Sequence, residues 1–281
     1  MTSSTLRKIL GVIPARWAST RLPGKPLADL CGKPMIQHVW ERARLSGSLH
    51  ALVVATDDQR VFDAVRAFGG EAAMTSPDHP NGAYRVEEAA RGWDVDAIVN
   101  IQGDEPLLDP LMIDEVAEVL AAPGVEFATL CRPLEDEADR TNPNVVKVVL
   151  AQSGDALYFS RSLIPYPMRK PAVPIYQHIG IYGYSPAFLR RYVELPATPL
   201  SEAESLEQLR ALEHGCSVRV RVTASAAPSR GVDTPDDLEA VRRILTLQKN
   251  GNDARHFSRN GGDVPQCPAN LACKFSPFMI C

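Results

Sequence analysis

Along the first half of the chain, short apolar runs suited to buried strands alternate with stretches whose apolar residues recur at helical spacing. Ile9 to Ile13 precedes a helical pattern with Met35, Ile36, Val39, Trp40 and Ala43 on one face. Leu52 to Ala55 precedes one carrying Val61, Val65 and Phe68, and Ala97 to Ile101 precedes one over Pro110 to Ala121 bearing Leu111, Met112, Val116, Val119 and Leu120. Strands that are apolar throughout, each feeding a helix, imply a parallel sheet covered on both faces. The expected fold class is therefore α/β, a mostly parallel, Rossmann-like nucleotide-binding sheet. Such sheets bind ligands beyond the carboxyl ends of their strands, so chemistry is expected in the loops after Ile13 and after Ile101.

From about residue 123 the rhythm changes. Strand-like segments at Glu126 to Cys131, Val145 to Leu150, Leu157 to Ser160 and Ile179 to Tyr184, with a proline-rich stretch from Ile164 to Pro174 among them, predict a mixed-sheet insertion over about 123–200. It would carry a second substrate or a dimer contact. Helical spacing returns at Glu202 to Glu213, Val218 to Val222 reads as a strand, and Pro235 to Leu247 reads as a helix with Asp233 and Thr234 where a cap belongs. Residues 1–248 thus form one expected domain. Residues 249–281 lack periodicity and read as a disordered or appended tail.

Charge narrows the function. Thirty basic against thirty-four acidic side chains give a formal charge of −4, which leaves no broad basic surface for a nucleic-acid backbone. No apolar run approaches the roughly 20 residues of a membrane helix, and the first residues do not read as a signal peptide, so a cytoplasmic chain without nucleic-acid or membrane partners is expected. Of six cysteines, the first three, Cys31, Cys131 and Cys216, lie far apart and match neither a disulfide framework nor the spacing of a zinc site, and the last three crowd into the tail.

The bend after the first strand reads Pro14-Ala15-Arg16-Trp17-Ala18-Ser19-Thr20-Arg21-Leu22-Pro23-Gly24-Lys25-Pro26. Arg16, Arg21 and Lys25, with the hydroxyls of Ser19 and Thr20 and the N–H of Gly24, supply what a triphosphate needs: donors for its oxygens and cations for the charge that moves to a leaving pyrophosphate. The pattern is neither a Walker A loop nor a G-x-G-x-x-G turn. Gln102-Gly103-Asp104-Glu105-Pro106 follows the apolar run ending at Ile101, which places Asp104 at a strand's carboxyl end, behind a glycine that lets a ligand approach the backbone. Mg²⁺ takes one or two carboxylates plus phosphate oxygens and waters, so a second acid is expected from elsewhere. Asp233 is the best candidate, its alternative role being the cap of the last helix.

The run IPARWASTRLPGKPL, followed by Gly32-Lys33-Pro34-Met35-Ile36, resembles the opening of the sugar-activating nucleotidylyltransferases, and more narrowly of the 3-deoxy-manno-octulosonate cytidylyltransferases. The likeness recurs in order at Ala55-Thr56-Asp57, at Gln102 to Pro106, at Asn142 to Lys147, at Tyr158 to Arg161, at His178 to Tyr184, at Leu206 to Arg210 and at Gly231 to Pro235, and so spans about residues 7–247. The resemblance implies a nucleotide-diphospho-sugar transferase type of fold and transfer of CMP from CTP to an acidic 2-keto sugar, with pyrophosphate released for lipopolysaccharide precursor synthesis. It also implies Mg²⁺ held by Asp104 and Asp233, with Lys25 beside them in the catalytic set and a weaker case for Glu105 and Asp57. Nucleotide contacts carried over are Ala15, Arg16, Ser19, Arg21, Lys25, Asn81, Gly82, Arg85 and Gln102. Sugar contacts carried over are Gln102, Arg161, His178, Tyr182, Glu207 and Gln208, and a homodimer is expected. For His178 and Tyr182, ordinary packing stays open as the alternative, as does a solvated helix face for Glu207 and Gln208.

One segment departs from the family's H-x-S-G-T-[DE]-R loop. This chain has His79-Pro80-Asn81-Gly82-Ala83-Tyr84-Arg85, with Asn81 and Ala83 in place of hydroxyls and Tyr84 in place of an acid. An amide still donates and accepts, so a pyrimidine edge stays readable, and adaptation to a modified octulosonate or a shifted nucleotide stands beside neutral drift. Two other readings share the chemistry or the scaffold: a CMP-sialate synthetase, and an inactive nucleotide-binding protein.

Overall fold

A computed structural model describes residues 8–19, 21–169, 173–227 and 231–259, with side chains described as far as residue 248. In chain order the strands are β1 (Ile9–Ala15), β2 (Asp29–Leu30), β3 (Lys33–Pro34), β4 (Ala51–Thr56), β5 (Glu71–Met74), β6 (Ala97–Asn100), β7 (Phe127–Pro133), β8 (Lys147–Leu150), β9 (Ala156–Ser160), β10 (Tyr176–Tyr184) and β11 (Arg219–Val222). The helices are α1 (Met35–Ala43), α2 (Gln59–Ala67), α3 (Gly82–Ala90), α4 (Pro110–Leu120), α5 (Pro186–Glu194), α6 (Pro199–Glu204), α7 (Glu207–Glu213) and α8 (Pro235–Arg259).

The main sheet runs β11-β7-β10-β6-β1-β4-β5, with β8 and β9 attached through β10. Along that path only β10 is reversed, antiparallel to both β6 and β7. Both faces are covered, as the uninterrupted apolar strands require. Ile9 and Ile13 of β1 pack with α1, α2 and α4, while Leu10 and Val12 pack with α3, α5 and α7 on the other side. The α/β class is as expected, and the mixed part is continuous with the parallel part: β7 and β10 lie within the main sheet, stitched to it by pairings such as Tyr182 with Asn100.

Two local readings are corrected, and one strand proves irregular. The helix expected over Glu202 to Glu213 is two helices, because Ser205 is left-handed (φ 48°) and Leu206 is extended. The Glu204 carboxylate is held by the Ser160 hydroxyl at 2.6 Å and the Arg161 N–H at 2.9 Å, which stops α6, and the turn then buries Leu206. Glu207 therefore opens α7 instead of riding mid-helix. In β10 a bulge between Ile179 and Tyr182 shifts the register against β7. Finally, α8 continues to Arg259, so residues 249–259 are helical; Gly251 costs a helix only roughly 1 kcal/mol relative to alanine and does not end it. The rest of the expected tail and Thr20 lie outside the described residues. Among the described residues no helix is long and apolar enough to cross a membrane.

Candidate active site

The loops beyond the carboxyl ends of β1, β5 and β6 enclose a cleft of about 340 Å³, within the range of small-molecule and cofactor sites. Ala15, Arg16, Ser19, Arg21, Lys25, Asn81, Gly82, Arg85, Gln102, Asp104, Glu207 and Asp233 all line it. Every nucleotide contact expected from sequence is thus brought to one cavity, together with the expected catalytic set. Arg161, His178, Tyr182 and Gln208 lie outside its lining.

At the centre stands Lys25. Its Nζ lies 2.6 Å from Asp104 Oδ2 and 3.1 Å from Asp233 Oδ1, and Arg21 Nη2 reaches the same Asp233 oxygen at 3.0 Å. Lys25 and Asp233 are 208 positions apart in sequence, and local chemistry explains how they meet. Gly24, left-handed at φ 68°, turns the bend into a short 3₁₀ segment that begins at Lys25. Val232 donates its backbone N–H to the Asp104 carbonyl at 2.9 Å, and its side chain is buried with Leu30, Met35, Leu107 and Val241. That anchor sets Asp233 beside Asp104.

Asp233 is not the helix cap. Thr234 Oγ1 accepts the N–H of Asp237 at 3.2 Å, while the Asp237 carboxylate accepts from the N–H of Thr234 at 3.1 Å and from its hydroxyl at 2.8 Å. This reciprocal box caps α8 and leaves the Asp233 side chain to the cleft. Gly103 also serves differently from the expectation. A Cβ there would fall 2.6 Å from the Pro14 carbonyl oxygen, so glycine is needed for this loop to pass against the end of β1, not for a ligand to approach.

The two carboxylates suit a hard divalent cation, since their oxygens already converge on one positive centre, the Lys25 ammonium. Mg²⁺ completes such a pair with phosphate oxygens and water. Among the described residues no cluster of three or more acidic, imidazole or thiol side chains offers an all-protein metal cage. Asp57 does not join the acids: its Oδ2 accepts from Arg85 Nη2 at 2.8 Å and its Oδ1 from the Trp17 N–H at 3.0 Å.

In the departed loop, Asn81 caps α3, its Oδ1 accepting from Ala83 N–H at 3.1 Å and Tyr84 N–H at 3.4 Å. The side-chain oxygen is thereby committed, and the amide N–H₂ is what remains for a ligand. Tyr84, standing where the family has an acid, accepts through its hydroxyl from Arg210 Nη1 at 3.2 Å. His79 also lines the cleft, hydrogen-bonded to Glu88, and was not among the expected contacts; its place beside Asn81 in one loop was the available signal.

The expected sugar contacts divide. Glu207 shares the cleft with Arg16, and protein packed round its carboxyl outweighs Arg210 and Arg16 and pushes its pKa up to about 7. His178 is buried, bonded through Nε2 to Thr129 Oγ1 at 3.0 Å, and burial drives its pKa down to about 3, so the ring is neutral near pH 7. The bulge brings its ring to 5.5 Å from that of Tyr182, whose burial raises the phenol well above its ordinary pKa. Arg161 is spent on carbonyls, of Glu204 at 2.6 Å and Pro143 at 2.8 Å, and Gln208 is buried. None of these four lines the cleft, whereas Gln102 and Glu207 of the expected sugar contacts do.

Comparison with known proteins decides the family. The cytidylyltransferase family model matches residues 10–221. A 3-deoxy-manno-octulosonate cytidylyltransferase of Solibacter usitatus is 49% identical over 88% of this chain and 99% of its own length. The chain belongs to the 3-deoxy-manno-octulosonate cytidylyltransferase family. A second cytidylyltransferase of that name, from Vibrio cholerae, is 50% identical over 83% of this chain and 96% of its own. Among solved structures, CMP:2-keto-3-deoxy-manno-octonic acid synthetase complexed with CTP has a TM-score of 0.81 at 45% identity, covering 86% of this chain and 99% of that one. A cytidylyltransferase of Leptospira borgpetersenii, at 19% identity and TM-score 0.57, shares the fold. Membership in the cytidylyltransferases makes the chain a nucleotidyltransferase enzyme.

Proposed function

We propose that this cytidylyltransferase carries CMP from CTP to 3-deoxy-manno-octulosonate, or a close relative of it, and releases pyrophosphate, in the cytoplasm, as a step toward lipopolysaccharide. The carrying observation is the single ammonium of Lys25 held between Asp104 and Asp233 at the wall of a cation-lined cleft. Arg16, Arg21 and Lys25 neutralise the triphosphate, which otherwise repels an anionic acceptor. The anomeric oxygen of the sugar attacks the α-phosphorus, the α–β bridging oxygen leaves with pyrophosphate, and the geometry asked of the cleft is in-line placement of these two oxygens. Asp104 and Asp233 would hold Mg²⁺, which when bound would supply neutralisation of phosphate charge and a lower pKa for the acceptor hydroxyl. The Asn81 amide N–H₂ donates to an acceptor on the pyrimidine edge, and Gln102 and Glu207 sit between nucleotide and sugar. His178, Tyr182, Arg161 and Gln208 shape the sugar's side of the site.

A homodimer fits the middle of the chain. Tyr166 and Met168 are each 78% exposed and Val173 61%, apolar side chains that a second copy would cover. Sedimentation of the purified protein tests this, a dimer being expected.

The function is tested by incubating the enzyme with each of the four nucleoside triphosphates, Mg²⁺ and either 3-deoxy-manno-octulosonate, an amino-substituted analogue or sialate. Pyrophosphate should form with CTP and an octulosonate-type acid. Its formation with sialate alone, or with no acceptor at all, would overturn the proposal.

A further inference from the structure

We propose that Asp57 is a positioning residue, a strut that fixes the phosphate-binding bend and the base-side loop relative to each other; this rests on the nucleotide reading above. Asp57 follows the carboxyl end of β4, and its two oxygens serve opposite sides of the cleft. Oδ1 accepts the Trp17 N–H from the bend at 3.0 Å, and Oδ2 accepts Arg85 Nη2 from α3 at 2.8 Å. Both partners of the ion pair are withdrawn from water, with side chains 11% and 4% exposed. Unlike Arg85, Asp57 does not line the cleft.

Each end of the strut is braced. Arg85 also donates to Thr75 Oγ1, and that hydroxyl donates to the Thr56 carbonyl at 3.0 Å, so the arginine is tied back to β4. On the other end the Trp17 ring is packed against Gly24, where a Cβ would lie 2.8 Å from the indole, and the Arg60 guanidinium sits 3.5 Å above the ring centroid. Gly24 immediately precedes Lys25. A continuous series of contacts therefore runs from Arg85 at the base side, through Asp57 and Trp17, to the lysine between the two acids.

The consequence concerns whole nucleotides more than their pieces. A bend and a loop that move independently still bind a phosphate or a base separately. Held at a fixed spacing, they convert the second contact into an intramolecular one, and the gain appears only for a ligand that reaches both. Asp57→Asn leaves Arg85 facing an amide that cannot satisfy its charge. Asp57→Glu keeps a carboxylate for Arg85 and lengthens the strut by one methylene, so it preserves the ion pair while changing the spacing.

The test is calorimetric titration of the full chain with CTP, CMP and pyrophosphate, each with Mg²⁺, at a temperature where circular dichroism shows every variant folded. For Asp57→Asn the expected result is at least ~10-fold weaker CTP binding with less than ~3-fold change for CMP and for pyrophosphate, the signature of lost effective concentration. If that variant does not fold, Asp57→Glu is expected to give the same pattern. CTP affinity and KM within about twofold of the unaltered protein, whatever the melting temperature does, would overturn the strut, as would equal loss for all three ligands. An unaltered protein that binds no CTP would instead remove the nucleotide reading beneath it.

Discussion

The backbone N–H of Val232 donates to the carbonyl of Asp104 at 2.9 Å, and this bond joins the loop before α8 to the loop after β6. It makes neighbours of two acids far apart in sequence, and Lys25 then spans them. Because Val232 is fully buried, the join is a packing feature as well as a polar one. Val232→Ala should cost about 1–3 kcal/mol of stability through the lost methyls and the space they leave. Nucleotidyl transfer should weaken further than unfolding explains, read as kcat on the folded protein.

The division of labour between Asp233 and Thr234 gives a contrasting pair. Thr234→Ala removes a member of the capping box and should lower stability by about 1 kcal/mol, with turnover largely kept. Asp233→Asn should leave the melting temperature nearly unchanged and depress turnover roughly 10²-fold or more, with a raised Mg²⁺ requirement. Thermal melts and pyrophosphate-release rates on both variants check this.

Gly103→Ala drives a methyl toward the Pro14 carbonyl, a backbone atom that cannot swing aside. The loop bearing Asp104 must move or β1 must yield, at a cost of about 1–3 kcal/mol. Calorimetric unfolding should show the loss, and activity should fall with it.

Glu207 carries a pH signature. Its pKa is raised to about 7 in the folded chain from an ordinary 4.5, so the folded state holds the proton more firmly than the unfolded one. That contribution is fully present below about pH 4.5 and is lost as pH rises through about 7. Glu207→Gln should therefore gain on the unaltered protein in melting temperature between those values, with no further gain above. A difference that does not vary with pH would contradict the assignment.

Much of this was legible in the sequence because burial on both sides of a sheet writes itself as unbroken apolar runs, as in β1, β4 and β6. The short β5, Glu71–Met74, left no such mark, since its ends are exposed. Nothing in the residue types announces that Ser205 turns left-handed and divides a helix, or that β10 bulges between Ile179 and Tyr182. In the site, the cations of the bend and Asp104 were readable from their place at strand ends. The Thr234-x-x-Asp237 box was equally readable, and weighing it would have freed Asp233 from the cap. The bonding of Asp57 was out of reach, and the sequence offers it only as a weaker candidate for the metal, because its partners Trp17, after β1, and Arg85, on α3, are brought to it only by tertiary packing.

The most direct test of the whole account is the rate of CTP-dependent pyrophosphate release by the Lys25→Met protein, with 3-deoxy-manno-octulosonate and Mg²⁺ saturating. Loss of a preorganised cation at the reacting phosphate should lower kcat by roughly 10²–10³-fold while the protein stays folded. A folded variant with unaltered kcat would contradict the claim that this lysine and its two acids form the site of transfer.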